Sequence, residues 1–416
     1  MDTVRRAELI DRAERGNAIN WTTYSTLQGL SASFISADLF NTVLMRQGAS
    51  DFVLGLFAAN QLVSLASQFV AARYVDGSRD KVRLMWLSHV IQLLPILLPI
   101  ALLALTGGQV GLWPFFGAVF FYYLVNSTVG AFGSIANMDL LSRVLRPGGR
   151  GKLLGMQGAL GGLAGIASGL LVAGIISRLE YPLGYTTVWC TGLILSLCTS
   201  VLLLRLRQLP GLRPLRRVEQ PRLRQALRAV AKDRRFAIFL IAVVARMGFS
   251  ATQYYIWPTA RRVHGLPDEY VGYIASVNSA ITMCSAPLIG WLADRIGRAQ
   301  TALLFSAVAV VGFALFPHAE RQQGLLVAYV LISVGASGIT MPLYLSVLDL
   351  SPSEQRGLYV AVRYGTESGV YALFLPLFGY FSTHFTPQVI FYAGAMLAAL
   401  SGIVLFNVAE GRKSAE

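Results

Sequence analysis

The sequence predicts an all-α membrane protein with twelve transmembrane helices, arranged as two pseudo-symmetric bundles of six. Three observations lead to this prediction. Of the 416 residues, 55% are hydrophobic and only 13% are charged, whereas soluble domains carry about 25% charged residues. Twelve mostly apolar runs follow one another along the chain, and each has the ~20-residue length that crosses a bilayer. The last six runs repeat the first six at a nearly constant offset.

We number the predicted spans 1 to 12 in chain order. They are expected to begin near Ala18, Asp51, Leu84, Trp113, Leu153, Leu183, Phe236, Glu269, Ala299, Gly324, Gly357 and Thr386. An even number of spans places both termini on the same side of the membrane. Because the first 17 residues mix acidic and basic side chains and contain no short apolar stretch, we expect no cleavable signal peptide.

Basic residues fix the expected direction of the spans. Counted loop by loop, 28 Lys and Arg residues lie on the side of the termini and five on the other side, while Arg246 and Arg363 lie within spans. Since Lys and Arg are retained in cytoplasmic loops, both termini are predicted to be cytoplasmic, in a multi-pass protein of the cytoplasmic (inner) membrane.

A net charge of +14 in a soluble domain would suggest a nucleic-acid partner. Here the topology accounts for the charge, so we expect contact with anionic lipids and no nucleic acid.

An internal repeat predicts the domain organisation. Span 7 begins 218 residues after span 1, and Asp76 and Asp294, which follow spans 2 and 8, are also 218 apart. The predicted parts are a cytoplasmic N-terminal segment (1–17), an N-terminal six-helix bundle (18–204), a basic cytoplasmic linker (205–235), a C-terminal six-helix bundle (236–408) and a cytoplasmic tail (409–416).

Polar side chains are distributed unevenly among the spans. Spans 3, 6, 9 and 12 contain no Asp, Glu, Lys or Arg, whereas the other eight carry many polar groups. Because polar groups within a bilayer are costly unless they face a protein interior or a wet cavity, we predict eight helices around a central aqueous path and four outer helices. The candidates for proton coupling or substrate binding along this path are Asp38, Asn126, Arg246, Gln253, Tyr254, Asn278, Arg363 and Glu367.

Three of these candidates are charged groups deep within their spans. At 1.5 Å per residue, Arg246 and Glu367 lie roughly 15 Å from the cytoplasmic helix ends, near the middle of a hydrocarbon layer about 30 Å thick. Arg363 lies one turn nearer the cytoplasm, on the same face as Glu367. One interpretation is that Glu367 binds a proton or pairs with Arg246, while an arginine meets an anionic substrate group. The other is a permanent structural ion pair. Asp38, near the outer end of span 1, is either an outer-gate group or a solvated helix end.

The loop after span 8 carries a specific motif. It reads Gly290-Trp-Leu-Ala-Asp294-Arg295-Ile-Gly297-Arg298, and a degenerate copy with Asp76 and Arg79 follows span 2. With these loops, twelve spans and two halves, the sequence resembles the major facilitator superfamily over essentially its whole length. The resemblance implies alternating access about one central site, with these loops gating the cytoplasmic side. The gating candidates are Asp76, Arg79, Arg150, Gly290, Asp294, Arg295, Gly297, Arg298 and Arg356.

The sequence therefore predicts a proton-coupled secondary transporter for a small organic solute. Anionic and amphipathic solutes are the candidate classes. No nucleotide-binding P-loop, nucleophile elbow or metal-binding His pair occurs, so we expect no ATP coupling, no enzymatic activity, no cofactor and no metal site. We expect a monomer. The alternative is a sensor or binding protein that has kept the fold without transport. Import, export and multidrug efflux are left open.

Overall fold

The computed structural model describes residues 3–78, 80–144, 147–207, 233–351 and 356–413. Within these ranges every regular element is helical. Arg79 and residues 208–232, which form most of the predicted linker, lie outside the described residues. The side chains of Asp76, Arg150 and Arg356 are likewise outside the description.

All twelve predicted spans are helical. The first half consists of Thr3–Ala32 and Ala37–Arg46 (span 1), Asp51–Gly55 and Ala59–Gly77 (span 2), Lys81–Leu93 and Leu97–Leu105 (span 3), Leu112–Val144 (span 4), Pro147–Arg178 (span 5) and Leu183–Ser200 (span 6). The second half consists of Arg234–Tyr254 and Ile256–His264 (span 7), Tyr270–Ile296 (span 8), Arg298–Leu315 (span 9), Gln322–Leu350 (span 10), Arg356–His384 (span 11) and Pro387–Lys413 (span 12).

The helix that contains span 1 begins at Thr3, well before the predicted start of the apolar span near Ala18. The apolar run alone misses this extension because the added turns are polar. Glu8 with Arg12, and Asp11 with Arg15, stand four residues apart in the sequence. Opposite charges at this spacing favour a helix, so the predicted N-terminal segment continues the first helix.

Among the described residues, nine helices are long and apolar enough to cross a membrane, and they correspond to spans 3 to 10 and span 12. Spans 1, 2 and 11, which fall outside that set, contain polar side chains such as Asp38 in span 1, Gln61 in span 2 and Glu367 in span 11. A helix that is polar over part of its surface needs a protein or water partner for that face within a bilayer.

The chain divides into two compact units. The first comprises Met1–Gly48, Val63–Arg217 and Asp268–Ala280, and the second comprises Ala49–Leu62, Val218–Pro267 and Ile281–Glu416. The first turns of span 2 thus belong to the unit formed mainly by the second half of the sequence. The first turns of span 8 belong to the unit formed mainly by the first half.

Each unit has its own apolar core. In the first unit Trp21, Met85 and Leu140 lie in one buried cluster, and the fully buried Trp189 stacks on Phe40 with ring centroids 4.8 Å apart. In the second unit the buried cluster includes the following residues: Phe236, Phe239, Leu343, Val347, Tyr359 and Leu405. These cores hold the helices that carry the polar candidates.

Glycines in span 5 allow a close helix contact inside the first unit. The hydroxyl of Ser276 in span 8 donates to the carbonyl of Ile166 at 2.9 Å, and a Cβ added to Gly169 would lie 2.6 Å from the backbone nitrogen of Ser276. The spans therefore approach at a distance that only a glycine permits. Gly174, by contrast, faces open space.

Candidate functional site

A buried ion pair lies within span 11, in the second unit. Nη2 of Arg363 donates to Oε1 of Glu367 at 2.6 Å, and the two side chains are 4% and 16% exposed. Their spacing of four residues stacks them on one face of the helix, as the sequence predicts. Only one edge of the Arg363 guanidinium is used by this contact.

The rest of the Arg363 guanidinium is enclosed by aromatic rings. Its central carbon lies 5.1 Å from the ring centre of Tyr344 and 5.2 Å from that of Tyr364, distances at which a cation is attracted to the ring face. The buried Nε and Nη1 atoms have no hydrogen-bond partner among the residues that the structure describes. An unpaired donor is costly in a buried place, and these two nitrogens point to different sides of the planar guanidinium, on either side of the Nη2 atom that Glu367 accepts from.

Arg246 in span 7 lies near this pair but takes a different partner. Its Nε and Nη2 atoms donate to Oγ1 of Thr340 at 3.2 Å and 2.8 Å, and its guanidinium lies 4.9 Å from the ring centre of Phe249. The charges of Glu367 and Arg363 both act on Arg246. Glu367 is thus ion-paired with Arg363, which lies one turn away on the same helix face, while Arg246 interacts with Glu367 through its charge. Two arginines and one carboxylate give the cluster a formal charge of +1.

Two further candidates lie at a helix end in the second unit, and three belong to the first unit. Gln253 and Tyr254 are the last two residues of the helix Arg234–Tyr254, and the Tyr254 ring packs against Tyr255 at 5.5 Å. The other three belong to the first unit, and each is at least partly exposed. They are Asp38, in the first turn of Ala37–Arg46, Asn126 in span 4 and Asn278 in span 8.

The motif after span 8 forms a tight turn between two helices. Span 8 ends at Ile296, Gly297 adopts a φ of 93°, and span 9 begins at Arg298. This positive φ explains the glycine, because a side chain at that position would be strained. Asp294 is exposed, and the Arg295 guanidinium lies 4.4 Å from the ring centre of Trp291.

A polar cluster in the first unit was not predicted from the sequence. His89 in span 3 contacts Gln28 of span 1, with Nε2 atoms 2.8 Å apart, and Gln28 donates to Thr199 of span 6 at 2.9 Å. Ser196 also donates to Gln28 at 3.0 Å. After its first turn span 3 lacks Asp, Glu, Lys and Arg, as does span 6, but each carries polar side chains that are partly or fully buried. The available signal was the recurrence of Ser and Thr in span 6 opposite a span 3 that contains His and Gln.

Two ion pairs at helix ends were also missed, and we call them clasps. In the first clasp, Nη2 of Arg46 lies 2.7 Å from Oδ2 of Asp268, which also accepts from the Tyr185 hydroxyl at 2.6 Å. All three residues lie in the first unit. The Arg46 guanidinium also lies 4.8 Å from the ring centre of Tyr181. Burial raises the pKa of the Tyr181 hydroxyl, against the opposing effects of a hydrogen bond with Gln47 and of the Arg46 charge.

The second clasp lies in the second unit. Nη1 of Arg262 donates to Oδ1 of Asp51 at 2.6 Å, and Oδ2 of Asp51 accepts from the Ser382 hydroxyl at 2.5 Å. Arg262 further donates to the carbonyl of Ala49 at 2.6 Å. The signal for both clasps was present in the sequence. Arg46 and Arg262 are 216 positions apart and Asp51 and Asp268 are 217 apart, close to the 218-residue offset of the repeat.

Comparison with characterised proteins gives short matches to transporters. The chain is 28% identical over 103 residues to the siderophore transporter fer7 of Mycosarcoma maydis, a match that covers 25% of this chain and 16% of that protein. It is 30% identical over 148 residues to the MFS-type efflux transporter ffsH of Aspergillus flavipes, covering 34% and 25% of the two chains. It is 27% identical over 101 residues to myo-inositol transporter 2 of Schizosaccharomyces pombe (strain 972 / ATCC 24843), covering 24% and 18%. The matched regions span a quarter or less of each of these relatives.

Solved structures and a family model give longer matches. A bacterial homologue of the iron transporter ferroportin, in an inward-facing state, aligns with a TM-score of 0.70 and 13% identity over 96% of this chain and 98% of that chain. The nucleoside transporter NupG aligns with a TM-score of 0.69 and 13% identity over 94% and 99%. At such identities these structures establish the fold alone, and they confirm the predicted fold class. The model of the Major Facilitator Superfamily matches residues 17–350, and the chain therefore belongs to this superfamily.

Proposed function

We propose that this chain is a secondary transporter that moves a small organic solute across a membrane by alternating access. Membership of the superfamily and the two six-span halves support this proposal. The matched relatives are named for siderophores, efflux and myo-inositol, solutes of different chemistry, so their names favour transport in general and no particular substrate.

The observation that carries the proposal is the charged cluster of spans 7 and 11. Arg363 holds Glu367 with one nitrogen while two other buried nitrogens are unpartnered among the described residues. A carboxylate of a solute that accepts from one of these nitrogens would neutralise the +1 charge of the cluster. The proposed solute is therefore anionic, and the rings of Tyr344 and Tyr364 favour one that also has an apolar part.

Proton coupling follows from competition at Arg363. When Glu367 is ionised, its carboxylate occupies Nη2 of Arg363. When Glu367 takes a proton, the attraction weakens and the cluster carries two positive charges, so an anionic solute binds more tightly. The charged and titratable groups around this carboxyl are Arg363, Arg246, Tyr344, Tyr364 and Tyr371. Proton and anion thus favour each other's binding, which is the requirement for their coupled movement.

We further propose a monomer in the cytoplasmic (inner) membrane, with both termini cytoplasmic and no nucleic-acid partner. The distribution of basic residues supports the orientation. The loops after spans 2, 4, 8 and 10 are proposed to gate the cytoplasmic side. Their candidates remain Asp76, Arg79, Arg150, Gly290, Asp294, Arg295, Gly297, Arg298 and Arg356.

The test of transport works before the solute has been identified. Purified protein is reconstituted in liposomes, a defined mixture of organic acids, sugars, nucleosides and amines is added outside at acidic pH, and the lumen is analysed by mass spectrometry. We expect an organic acid to accumulate, and to do so less when the pH gradient is collapsed. If no solute enters the protein-containing liposomes in a larger amount than it enters protein-free liposomes, the result would contradict transport and favour the non-transporting sensor.

Recognition of an anion is tested separately in detergent solution. The melting temperature is measured with benzoate and with its neutral counterpart benzamide, at constant ionic strength. We expect benzoate to stabilise the parental protein more than benzamide does, and Arg363→Gln to abolish the difference. Equal effects of benzoate and benzamide on the melting temperature of the parental protein would contradict the anion site. Transport of a neutral solute would still be tested by the liposome experiment.

A further inference from the structure

A cavity of about 520 Å³ opens between the start of span 3 and the end of span 6. By the predicted topology both ends are on the cytoplasmic side. The residues that line the cavity are Asp80, Val82, Arg83, Trp86, Leu204 and Leu206. All of them belong to the first compact unit, so the cavity is separate from the charged cluster of spans 7 and 11. Its volume lies within the range of about 300 to 1,000 Å³ that is typical of ligand sites.

The inner wall of this cavity is apolar and held in place. Leu206 is part of the buried cluster of the first unit, and Val82 and Trp86 pack against that cluster. The next residue, Arg207, is held by the buried Asn17, whose carboxamide donates to the Arg207 carbonyl at 2.7 Å and accepts from the Arg207 backbone nitrogen at 2.8 Å. The end of span 6 is thus fixed against span 1, so the wall of the cavity is preformed.

The charges around the cavity favour an anion. Arg83 is exposed, and two further exposed arginines, Arg205 and Arg207, stand on either side of Leu206 in the sequence. The one acidic lining residue, Asp80, caps span 3, since its Oδ1 accepts from the Arg83 backbone nitrogen at 2.9 Å. The helix N-terminus already stabilises this carboxylate. The three arginines are therefore available to a ligand of negative charge.

Trp86 adds a hydrogen-bond donor and an indication of depth. Its buried Nε1 has no hydrogen-bond partner among the residues that the structure describes, and such a donor is costly when it is left unpaired. Indole rings favour the level of the lipid headgroups. From the lining residue Leu204, the exposed apolar side chains of Val201 and Ile194 continue along span 6 toward the middle of the membrane. An anionic head that carries oxygen acceptors, joined to an apolar tail, matches this combination.

We propose that the cavity binds the headgroup of an anionic phospholipid from the cytoplasmic leaflet. Arg83 is the donor to the phosphate, Trp86 Nε1 donates to a second oxygen of the lipid, and the acyl chains follow the exposed apolar side chains of span 6. Basic pockets between transmembrane helices on the cytoplasmic side suit such headgroups. This lipid is a second ligand beside the transported solute, so its binding is measured without any transport.

The experiment compares two lipids that differ in the net charge of the headgroup. The purified full-length protein is titrated in detergent with dioleoyl phosphatidylglycerol or dioleoyl phosphatidylcholine, and bound lipids are counted by native mass spectrometry. We expect the first phosphatidylglycerol to bind at least fivefold more tightly than the first phosphatidylcholine. Arg83→Gln should raise the Kd of the first phosphatidylglycerol about fivefold, because it removes one basic group from the site.

A second variant separates lipid binding from a structural role of the indole. Trp86→Phe keeps an aromatic ring and removes the N–H group, which has no partner among the described residues. It should raise the Kd of the first phosphatidylglycerol about fivefold while the melting temperature of the lipid-free protein stays at the parental value. Parental lipid affinity in both Arg83→Gln and Trp86→Phe would overturn the proposal.

The matched control is Arg15→Gln. Arg15 is another exposed arginine of the first unit on the predicted cytoplasmic side, but it does not line the cavity, so its removal should leave the Kd unchanged. Equal weakening by Arg15→Gln and Arg83→Gln would indicate diffuse attraction and overturn the site, as would equal affinity of the parental protein for the two lipids. In a background without native cysteines, rapid disulfide formation between Leu204→Cys and Leu223→Cys would assign the cavity to the predicted linker and also overturn the proposal.

Discussion

At the scale of single residues, the sequence indicated which groups are unusual but not how they pair. The depth of Arg246 and Glu367 and the stacking of Arg363 on Glu367 follow from counting residues along a helix. The partner of Arg246 does not, because Thr340 is 94 positions away in another span. A threonine in an apolar helix gives no signal of its own in one sequence, since its hydroxyl can bond its own helix backbone.

The first prediction concerns the Arg363–Glu367 pair. Arg363→Gln leaves the Glu367 carboxylate without its partner, and Glu367→Gln leaves the Arg363 guanidinium without its partner. Each single variant should destabilise the protein by about 2 kcal/mol. The double variant should recover much of the loss, because two neutral amides can hydrogen-bond each other. Melting temperatures of the two single variants and the double variant provide the measurement.

The matched control for these single and double variants combines Glu367→Gln with Arg246→Gln. Because Arg246 donates to Thr340 and meets Glu367 and Arg363 only through its charge, this second pair should show a smaller recovery. Recovery in the control as large as in the Arg363 double variant would mean that Arg246 is the effective counter-charge of Glu367.

At the scale of helices, the apolar runs predicted every span, while their packing faces required the structure. Span 5 contains many glycines, and only the structure distinguishes Gly169, which touches span 8, from Gly174, which faces open space. The polar face around His89 was similarly hidden. Composition reports which residues a helix contains, whereas a contact depends on the rotation of two helices relative to each other.

The second prediction uses these two glycines. Gly169→Ala would place a Cβ 2.6 Å from the Ser276 backbone nitrogen, so the helices must separate, at a cost of about 1 to 3 kcal/mol. Gly174→Ala meets nothing within 4 Å and should be neutral or stabilising by up to about 1 kcal/mol, since alanine favours a helix. Thermal unfolding in detergent compares them, and equal melting temperatures would show that the contact is not tight.

The third prediction tests the direction of the helices. In a background without native cysteines, Gln220→Cys in the predicted linker should be labelled only from the cytoplasm and Val263→Cys only from outside. Val263 is 57% exposed near the end of span 7. A cysteine at this position is preferable to one at Gly265, two residues later, because the φ of 61° at Gly265 disfavours a side chain. Labelling of both sites from the same side by an impermeant reagent would refute the assigned topology.

At the scale of the whole molecule, the repeat is the feature that the sequence reveals best. The 218-residue offset predicted two six-span halves, and it also contained the positions of both clasps. The compact units nevertheless exchange the first turns of spans 2 and 8. That exchange was not predictable from the order of spans, because it depends on packing, such as that of Asp51–Gly55 against Arg356–His384, and not on adjacency along the chain.

The fourth prediction concerns the cytoplasmic loop after span 8. Asp294→Asn keeps the size of the side chain and removes its charge, so a gate that relies on this charge should close more slowly and transport should fall by about tenfold or more. Membrane insertion should be unaffected because the exposed side chain lies outside the buried core. Flux in liposomes, normalised to the amount of reconstituted protein, is the measurement, and a parental rate would limit the motif to a topological role.

The fifth prediction joins the charged cluster to the complete transport cycle. Glu367→Gln permanently mimics the protonated carboxyl, so Arg363 stays free to bind an anionic solute and the protein can exchange that solute down its own gradient. The variant cannot release a proton, so a pH gradient should no longer drive accumulation. A structural pair predicts instead that exchange and accumulation fall together as the protein loses stability. Both fluxes are measured in the same liposomes, at a temperature well below the melting temperature of the variant. Accumulation at the parental level in Glu367→Gln would exclude this residue as the proton carrier.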